Sequence, residues 1–345
     1  MSHLSPRNIG GKSVVHGADA SATVPFDGVS GPYVLSMPQG DIRPIKPVEI
    51  DSALYLLLYE PHEPQAELEA RVIRFRQMAR KEHYNLERQL AAVQNGRLVF
   101  SCFFVPQPGG TAFFFLADPS QYLADDFSLG ISAVRMACRW AFNEGGAFLQ
   151  TLLEIHDAMR YELCVQSGFA HLADLVYMTV TDLSDAEPAV LPKGFSWRVY
   201  HADDDLFQAT VGETYQESMD CPELGNYRDL SSAMQGHRAA GRFEGGRWWR
   251  LLMEEDRPVG VLLMAPLRSG NVMELTYMGV CPHGRGRGLG RLLVQEALSL
   301  SFRSGMDSMV LAVDSQNLLA KRIYRESGFY GIARRRVMIR SSTML

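Results

Sequence analysis

The sequence predicts an α/β (α+β) fold built from two tandem copies of one unit, each a mixed, mostly antiparallel sheet flanked by helices. Three observations carry this. First, "LCVQSGFAHLADLVYM" (Leu163 to Met178) and "IYRESGFYGIARRRVM" (Ile323 to Met338) share Ser-Gly-Phe and a closing Met at a shift of 160 residues. Second, Arg97 meets Arg257, Val99 meets Val259, Pro106 meets Pro266 and Gly110 meets Gly270 at that same shift, far upstream. Separate segments in one register mark a duplicated domain, because solenoids repeat at only about 20 to 50 residues. Third, apolar segments of strand and helix period alternate along the second copy, as in a sheet covered by helices.

A chain of 345 residues that is 46% hydrophobic can bury two ordinary cores. Residues 1–48, rich in Gly, Ser, Pro and Asp without a sustained period, read as a flexible leader, and 49–180 as the first copy. The polar, proline-bearing stretch 181–194 reads as a linker to the second copy, 195–345. In that copy Phe195 to Tyr200 is a strand, and Asp203 to about Glu217 is a helix. "RWWRLLM" and "VGVLLMAP" form a hairpin about a Glu255-Asp256-Arg257 turn, and Val272 to Val280 is the next strand. Leu289 to about Arg303 is a helix with Leu289, Leu292, Leu293, Ala297 and Leu300 on its apolar face; Met309 to Val313 is a strand. A helix from about Asn317 to Glu326 stops before Gly328, a residue suited to the left-handed turn that ends helices, and a last pair of strands follows.

Lys and Arg number 34 against 39 Asp and Glu, a net charge of -5, which argues against a general polyanion-binding surface and leaves room for one local basic site. The five cysteines are scattered and never form a C-x-x-C pair, so neither a disulfide framework nor a metal site is indicated, and a reducing cytoplasm fits. No apolar run approaches the length that crosses a bilayer, so neither secretion nor a membrane partner is expected.

The chemistry concentrates in "CPHGRGRGLGRLL", Cys281 to Leu293, between a buried strand and a helix. A helix start exposes unpaired N–H groups at the positive end of the dipole. Gly286, Gly288 and Gly290 let that backbone approach an anion closely, while Arg285, Arg287 and Arg291 add charge and paired N–H donors, an arrangement suited to a diphosphate. The spacing is neither G-x-x-x-x-G-K-[ST] nor G-x-G-x-x-G, so it is neither a P-loop nor a Rossmann loop. The segment Arg285-x-x-Gly288-x-Gly290 resembles the acyl-CoA pyrophosphate signature of the GCN5-related N-acetyltransferases (GNAT). Together with Asn317, Tyr324 and Gly328-Phe329 it extends the resemblance over about Phe195 to Ile339.

The resemblance implies acetyl-CoA as acyl donor, an amine as acceptor, and direct transfer in a ternary complex. It implies that Tyr324 is the general acid, a role its chemistry allows: a phenol of pKa about 10 can protonate a thiolate whose thiol has pKa about 8.5. It implies that Met278, Gly279 and Val280 hold the pantetheine arm in a splayed gap, that Leu289 lies in the loop's grip on the donor, and that Asn317 bonds the pantetheine amides. Glu274, eleven residues before Arg285, is the candidate base, directly or through water; strand alternation places it on one face with Thr276, Met278 and Val280. Glu213, Tyr215 and Glu217 at the end of the first helix of the copy, with Asp220 and Glu223 after it, fall in a region that lines the acceptor site in this family, and the four carboxylates suit a cationic amine.

In the first copy the aligned stretch "DPSQYLADDFSLG" has Asp125-Asp126 in place of the arginine-glycine run, with Asp157 opposite Asn317 and Cys164 opposite Tyr324. Carboxylates at a helix start repel a diphosphate, so this copy is expected to be catalytically dead. A degenerate first and an active second domain resemble the layout of the mycothiol synthase branch of the family. Open at this point are a small-molecule N-acetyltransferase, a protein N-terminal or lysine acetyltransferase, and a non-catalytic acyl-CoA-binding scaffold; the acidic balance disfavours a nucleic-acid binder.

Overall fold

The computed structural model describes residues 40–121, 127–184, 186–201, 204–268 and 270–342. The first half supplies strands β1 (Asp41–Pro44), β2 (Gln89–Gln94), β3 (Arg97–Gln107), β4 (Thr111–Leu116), β5 (Phe148–Glu154) and β6 (Ala170–Val180). Its helices are α1 (Ile50–Leu58), α2 (Gln65–Lys81), α3 (Ser128–Asn143) and α4 (Ala158–Gln166). The second half supplies β7 (Phe195–Val199), β8 (Arg250–Glu254), β9 (Arg257–Pro266), β10 (Val272–Val280), β11 (Ser308–Asp314) and β12 (Tyr330–Ser341). Its helices are α5 (Asp205–Tyr215), α6 (Leu230–Ala239), α7 (Leu289–Arg303) and α8 (Leu318–Glu326). The bounds of α4 and α8, and of β5 and β11, differ by 160 residues at both ends, so the duplication in the sequence is a duplication of elements.

The fold is α/β with a mixed sheet between helices. The two copies do not form separate sheets, however. One sheet of twelve strands runs β1-β2-β3-β4-β5-β12-β6-β11-β10-β9-β8-β7 among the described residues. The last strand of each repeat has crossed into the other: β12 pairs with β5 from Arg335↔Glu154 to Ser341↔Phe148, and β6 pairs with β11 from Met309↔Val180 to Asp314↔Leu175. β12 is a single twelve-residue strand where the sequence reading has a pair, long enough to be bonded on both sides, to β5 and to β6. Among the described residues, only β4·β5 and β10·β11 are parallel.

Helices cover both faces. Around α3 and α4 the core is built on Phe100, Phe104, Phe114 and Leu163, and around α7 and α8 on Leu262, Met264, Leu293 and Val294. On the opposite face α1 and α2 pack on Phe103 and Val105, and α5 and α6 on Trp249, Leu251 and Leu263. A further cluster, Phe148, Leu175, Tyr177, Cys221, Val337 and Ile339, closes the seam where the exchanged strands meet. The leader is shorter than the sequence suggests. Residues 1–39 lie outside the described residues, but Asp41–Pro44 is a strand antiparallel to β2, and Arg43 grips Glu49 through two 2.8 Å hydrogen bonds. Of the linker, the described residues between β6 and β7 carry no helix or strand.

Because each half is completed by the other's strand, the chain is expected to melt in one calorimetric transition. Met338 is wholly buried in β12, and Met338→Ala should lower stability by about 2–5 kcal/mol while keeping that single transition. Two separable transitions, one unmoved by the substitution, would contradict the exchange.

Candidate functional site

The site begins where β10 parts from β11. The parallel pairing runs only from Val272↔Ser308 to Leu275↔Leu311; β11 continues along β6 to Asp314, while β10 continues along β9 alone. A bulge lies at Thr276, where the register on β9 slips between Leu275 and Tyr277. The inserted residue changes the side-chain phase. Glu274 therefore shares a face with Tyr277 toward α5 and α6, whereas Met278 and Val280 pack under α7, which corrects the single-face alternation read from the sequence. Beyond the bulge, Met278, Gly279 and Val280 line a cavity of about 450 Å³ together with Gly284 to Gly286 and Gly288 to Arg291 of the loop and Asn317. Gly279 has no room for a side chain. A Cβ there would stand 2.6 Å from the Thr214 Cβ and 2.8 Å from the Tyr277 hydroxyl, so glycine is what lets α5 press onto β10.

The loop meets this cavity with bare backbone. Gly286 and Gly288 have φ of +77° and +78°, with nothing within 4 Å of where a Cβ would be. No side chain caps α7 at Gly288, nor α1, α2 or α3, whereas α4, α5, α6 and α8 are closed by Asp157, Asp204, Asp229 and Asn317. The N–H groups and dipole at this helix start are left for an anion. Gly290 and Leu289 form the first turn, with Leu289 reaching both the cavity wall and the core.

The arginines have other partners than the sequence reading gives them. The Arg285 guanidinium donates to the carbonyls of Val280 (3.2 Å), Gln216 (2.5 Å), Thr214 (3.4 Å) and Glu217 (3.4 Å), clamping the loop to the C-terminal end of α5. A cation over those helix-end carbonyls is favourable. Arg287 makes a bidentate pair with Glu254 at 2.8 and 2.6 Å, and Arg291 pairs with Glu326. Both pairs are exposed and add little to stability, so they can yield to a stronger anion.

A second cavity, of about 200 Å³, opens on the α5 and α6 side of β10. Tyr215, Arg228, His237 and Glu274 line it, together with Phe148, Gln150 and Leu175 from the first half. It shares Ser218, Asp220 and Tyr277 with the first cavity, so two approaches converge on one place. Glu274 is 8% exposed; burial pushes its carboxyl up to about 8, and its Oε2 has no hydrogen-bond partner. Burial also raises Asp220, whose Oδ1 accepts the Asp314 N–H at 2.8 Å and which bonds the Asn317 side chain. Asn317 thereby lines the cavity while its Oδ1 caps α8 at 3.1 Å. The Tyr215 hydroxyl lies 2.9 Å from Nε2 of His237, which burial and then the charge of Arg228 push down to about 3, so the imidazole is neutral.

Tyr324 stands on α8 with its ring edge-on to Phe329, and is not itself part of either cavity wall. Burial, and then the neighbouring Asp220, push its phenol far above its ordinary value. Glu213, expected at the acceptor, instead bonds Nδ1 of His283 at 2.8 Å behind the loop. Glu213, Cys281 and His283 bring potential metal-ligand atoms within 4.8 Å of one another, two of them already joined by that hydrogen bond. Arg228, His237, Tyr277 and Gln150 escaped the sequence reading. Their only signal was a lone arginine after an acidic segment.

The first half differs at the corresponding place. There β4 and β5 pair only over Thr111–Phe113, and Arg160, at the place of Ala320, donates to the Leu116 carbonyl at 2.8 Å while bonding Asp157 at 2.6 Å. Cys164, at the place of Tyr324, is wholly buried, and burial pushes its thiol far up. Asp125 and Asp126 lie outside the described residues.

Residues 211–329 match the Acetyltransferase (GNAT) family. The C-terminal half carries a GNAT domain. Among relatives, the mycothiol acetyltransferase of Salinispora tropica is 28% identical over 155 residues, 40% of this chain and 46% of that protein. The chain spans about half or less of the length of the mycothiol acetyltransferases it matches. Among solved structures, a GCN5-related N-acetyltransferase from Sphaerobacter thermophilus gives a TM-score of 0.55 at 18% identity over 88% of this chain and 96% of that one. A tandem GNAT protein from the clavulanic acid biosynthesis pathway gives 0.50 at 16%, over 88% and 98%. At these identities the likeness is one of fold. No helix among the described residues is long and apolar enough to cross a membrane.

The raised Glu274 pKa has a stability consequence. Between the ordinary carboxylate value of 4.5 and about 8 the folded GNAT domain holds a proton that the unfolded chain has released, so stability falls as pH rises through that window. Glu274→Gln removes this loss. Its melting temperature should gain on the native protein progressively from pH 4.5 to 8, and parallel pH profiles of the two proteins would show that Glu274 ionises normally.

Proposed function

We propose that the protein is an acetyl-CoA-dependent N-acetyltransferase acting on the primary amine of a small molecule, by direct attack in a ternary complex. The second unit, 195–345, is the catalytic one, and the first, 49–180, is a degenerate copy that closes the acceptor side. The observation that carries this reading is the convergence of two cavities: one contains an uncapped helix start, the other a buried carboxylate without a partner. A wall of about 200 Å³ closed by Phe148, Gln150 and Leu175 favours a small acceptor over a peptide. Five free, buried cysteines agree with a reducing cytoplasmic setting.

Acetyl-CoA supplies the acetyl group as a thioester. The chain's own residues do the rest. The loop N–H groups of Gly286 to Gly290 hold the diphosphate, and the open edge of Met278 to Val280 holds the arm and donates to the thioester carbonyl, where negative charge grows on attack. Glu274, whose carboxyl burial raises to about 8, takes the proton of the acceptor ammonium in its ionised form. Tyr324, kept neutral by burial, gives its proton to the departing thiolate.

Tyr324→Phe should lower kcat by about 10²- to 10⁴-fold with little change in acetyl-CoA affinity. Gly288→Glu should abolish that affinity, since it places a carboxylate at the helix start in a backbone conformation that glycine alone adopts easily. Calorimetric titration and thiol-release kinetics read the two effects separately. Native turnover in Tyr324→Phe removes the acid from the scheme.

A further inference from the structure

We infer that the acceptor is a small zwitterion, a primary amine bearing a carboxylate on an apolar body, with Arg228 receiving the carboxylate and Glu274 and Gln150 receiving the ammonium. The inference rests on the proposed transferase activity and names the substrate class of its acceptor cavity.

Arg228 is the starting point. Its guanidinium lines the cavity, is largely withdrawn from solvent, and makes one hydrogen bond, from Nη2 to the Ser232 carbonyl at 2.5 Å. Its Nε is buried without a partner, and among the described residues no carboxylate stands within ion-pair distance of it. The contrast is Arg71, buried where Arg228 is only partly so, which is held by Glu60 at 3.0 Å and Glu63 at 2.5 Å. A buried guanidinium is stable only when paired, and the neighbouring His237 is neutral and offers no counter-charge. Gly236 sits inside α6, where glycine weakens a helix, and leaves the guanidinium room: a Cβ there would lie 2.0 Å from Nη2 of Arg228, which would have to swing aside. The arginine it borders has no carboxylate bonded to it among the described residues; the exposed Asp229 acts on it only through space.

The other charge of the ligand follows from the opposite kind of vacancy in bonding. Glu274 Oε2 and Gln150 Oε1 are both buried acceptors without donors, and both residues line the same cavity as Arg228. An ammonium supplies the N–H donors that two such oxygens lack. The lining also carries the apolar and aromatic Phe148, Leu175, Ala312 and Tyr277, with Ser218 and Asp220 where the two cavities meet. A plain amine would answer Glu274 and leave Arg228 uncompensated. An amine with a carboxylate answers both. Gln150 and Phe148 come from β5, so the degenerate repeat takes part in choosing the acceptor.

The test uses the full chain and amine pairs that differ only in the carboxylate: L-leucine with 3-methylbutylamine, L-phenylalanine with 2-phenylethylamine, and 4-aminobutyrate with propylamine. Thiol release from acetyl-CoA gives kcat/KM for each. At least one pair should favour its carboxylate member by about 100-fold, the scale of losing one partner of a buried charge pair. Arg228→Gln should collapse that preference through KM, and Arg228→Lys should restore part of it; retained acetyl-CoA binding marks each variant as folded. Equal or reversed preference in every pair overturns the proposal. If no pair is acetylated, calorimetry separates the two readings. Acetyl-CoA binding without amino-acid binding overturns the zwitterion alone, Arg228-dependent amino-acid binding without acetyl-CoA binding supports it while overturning the transferase, and neither binding overturns both.

Discussion

A parallel strand pair that ends after four residues leaves backbone N–H and C=O groups with no strand beside them, and such groups are not left unanswered in a folded protein. This is the constraint around which the molecule is arranged. In the second half the bulge at Thr276 turns β10 away from β11, and the open edge at Met278 to Val280 faces a cavity instead of a partner. In the first half the same divergence of β4 from β5 is answered internally, by the Arg160 guanidinium on the Leu116 carbonyl. One repeat sets its own side chain on that carbonyl; the other has Ala320 at that place and a cavity beside the open edge.

Strand exchange ties the second constraint to the first. With β6 seated beside β11 and β12 beside β5, the first half's β5 is brought to the acceptor cavity, where Phe148 and Gln150 complete the wall. The first repeat is thus more than a passenger. It helps wall the cavity of about 200 Å³ in which burial raises the Glu274 carboxyl to about 8 and Arg228 is partly withdrawn from water.

Elements whose residues are buried on a regular period were legible in the sequence. Val272–Val280 and Leu289–Arg303 have the bounds their apolar pattern implies, and the glycines of the loop announce a helix start open to an anion. What was not legible depends on contacts far along the chain. Period alone cannot register the extra residue at Thr276, which reversed the side of the strand on which Glu274 was expected relative to Met278. Nor can two strands copied from one ancestor declare which repeat each will complete. The arginines looked free because their partners Glu254 and Glu326, and the carbonyls held by Arg285, are distant in sequence or belong to the backbone. Glu213 misled for the same reason, its partner His283 lying 70 residues away.

The central claim is that one gap is open and its copy is closed. Counting acetyl-CoA sites on the full chain by calorimetric titration tests it most directly. One site per chain is the predicted result. Two sites would mean that Arg160 does not close the first gap, and none would mean that the open edge of β10 and the uncapped start of α7 do not form a donor site.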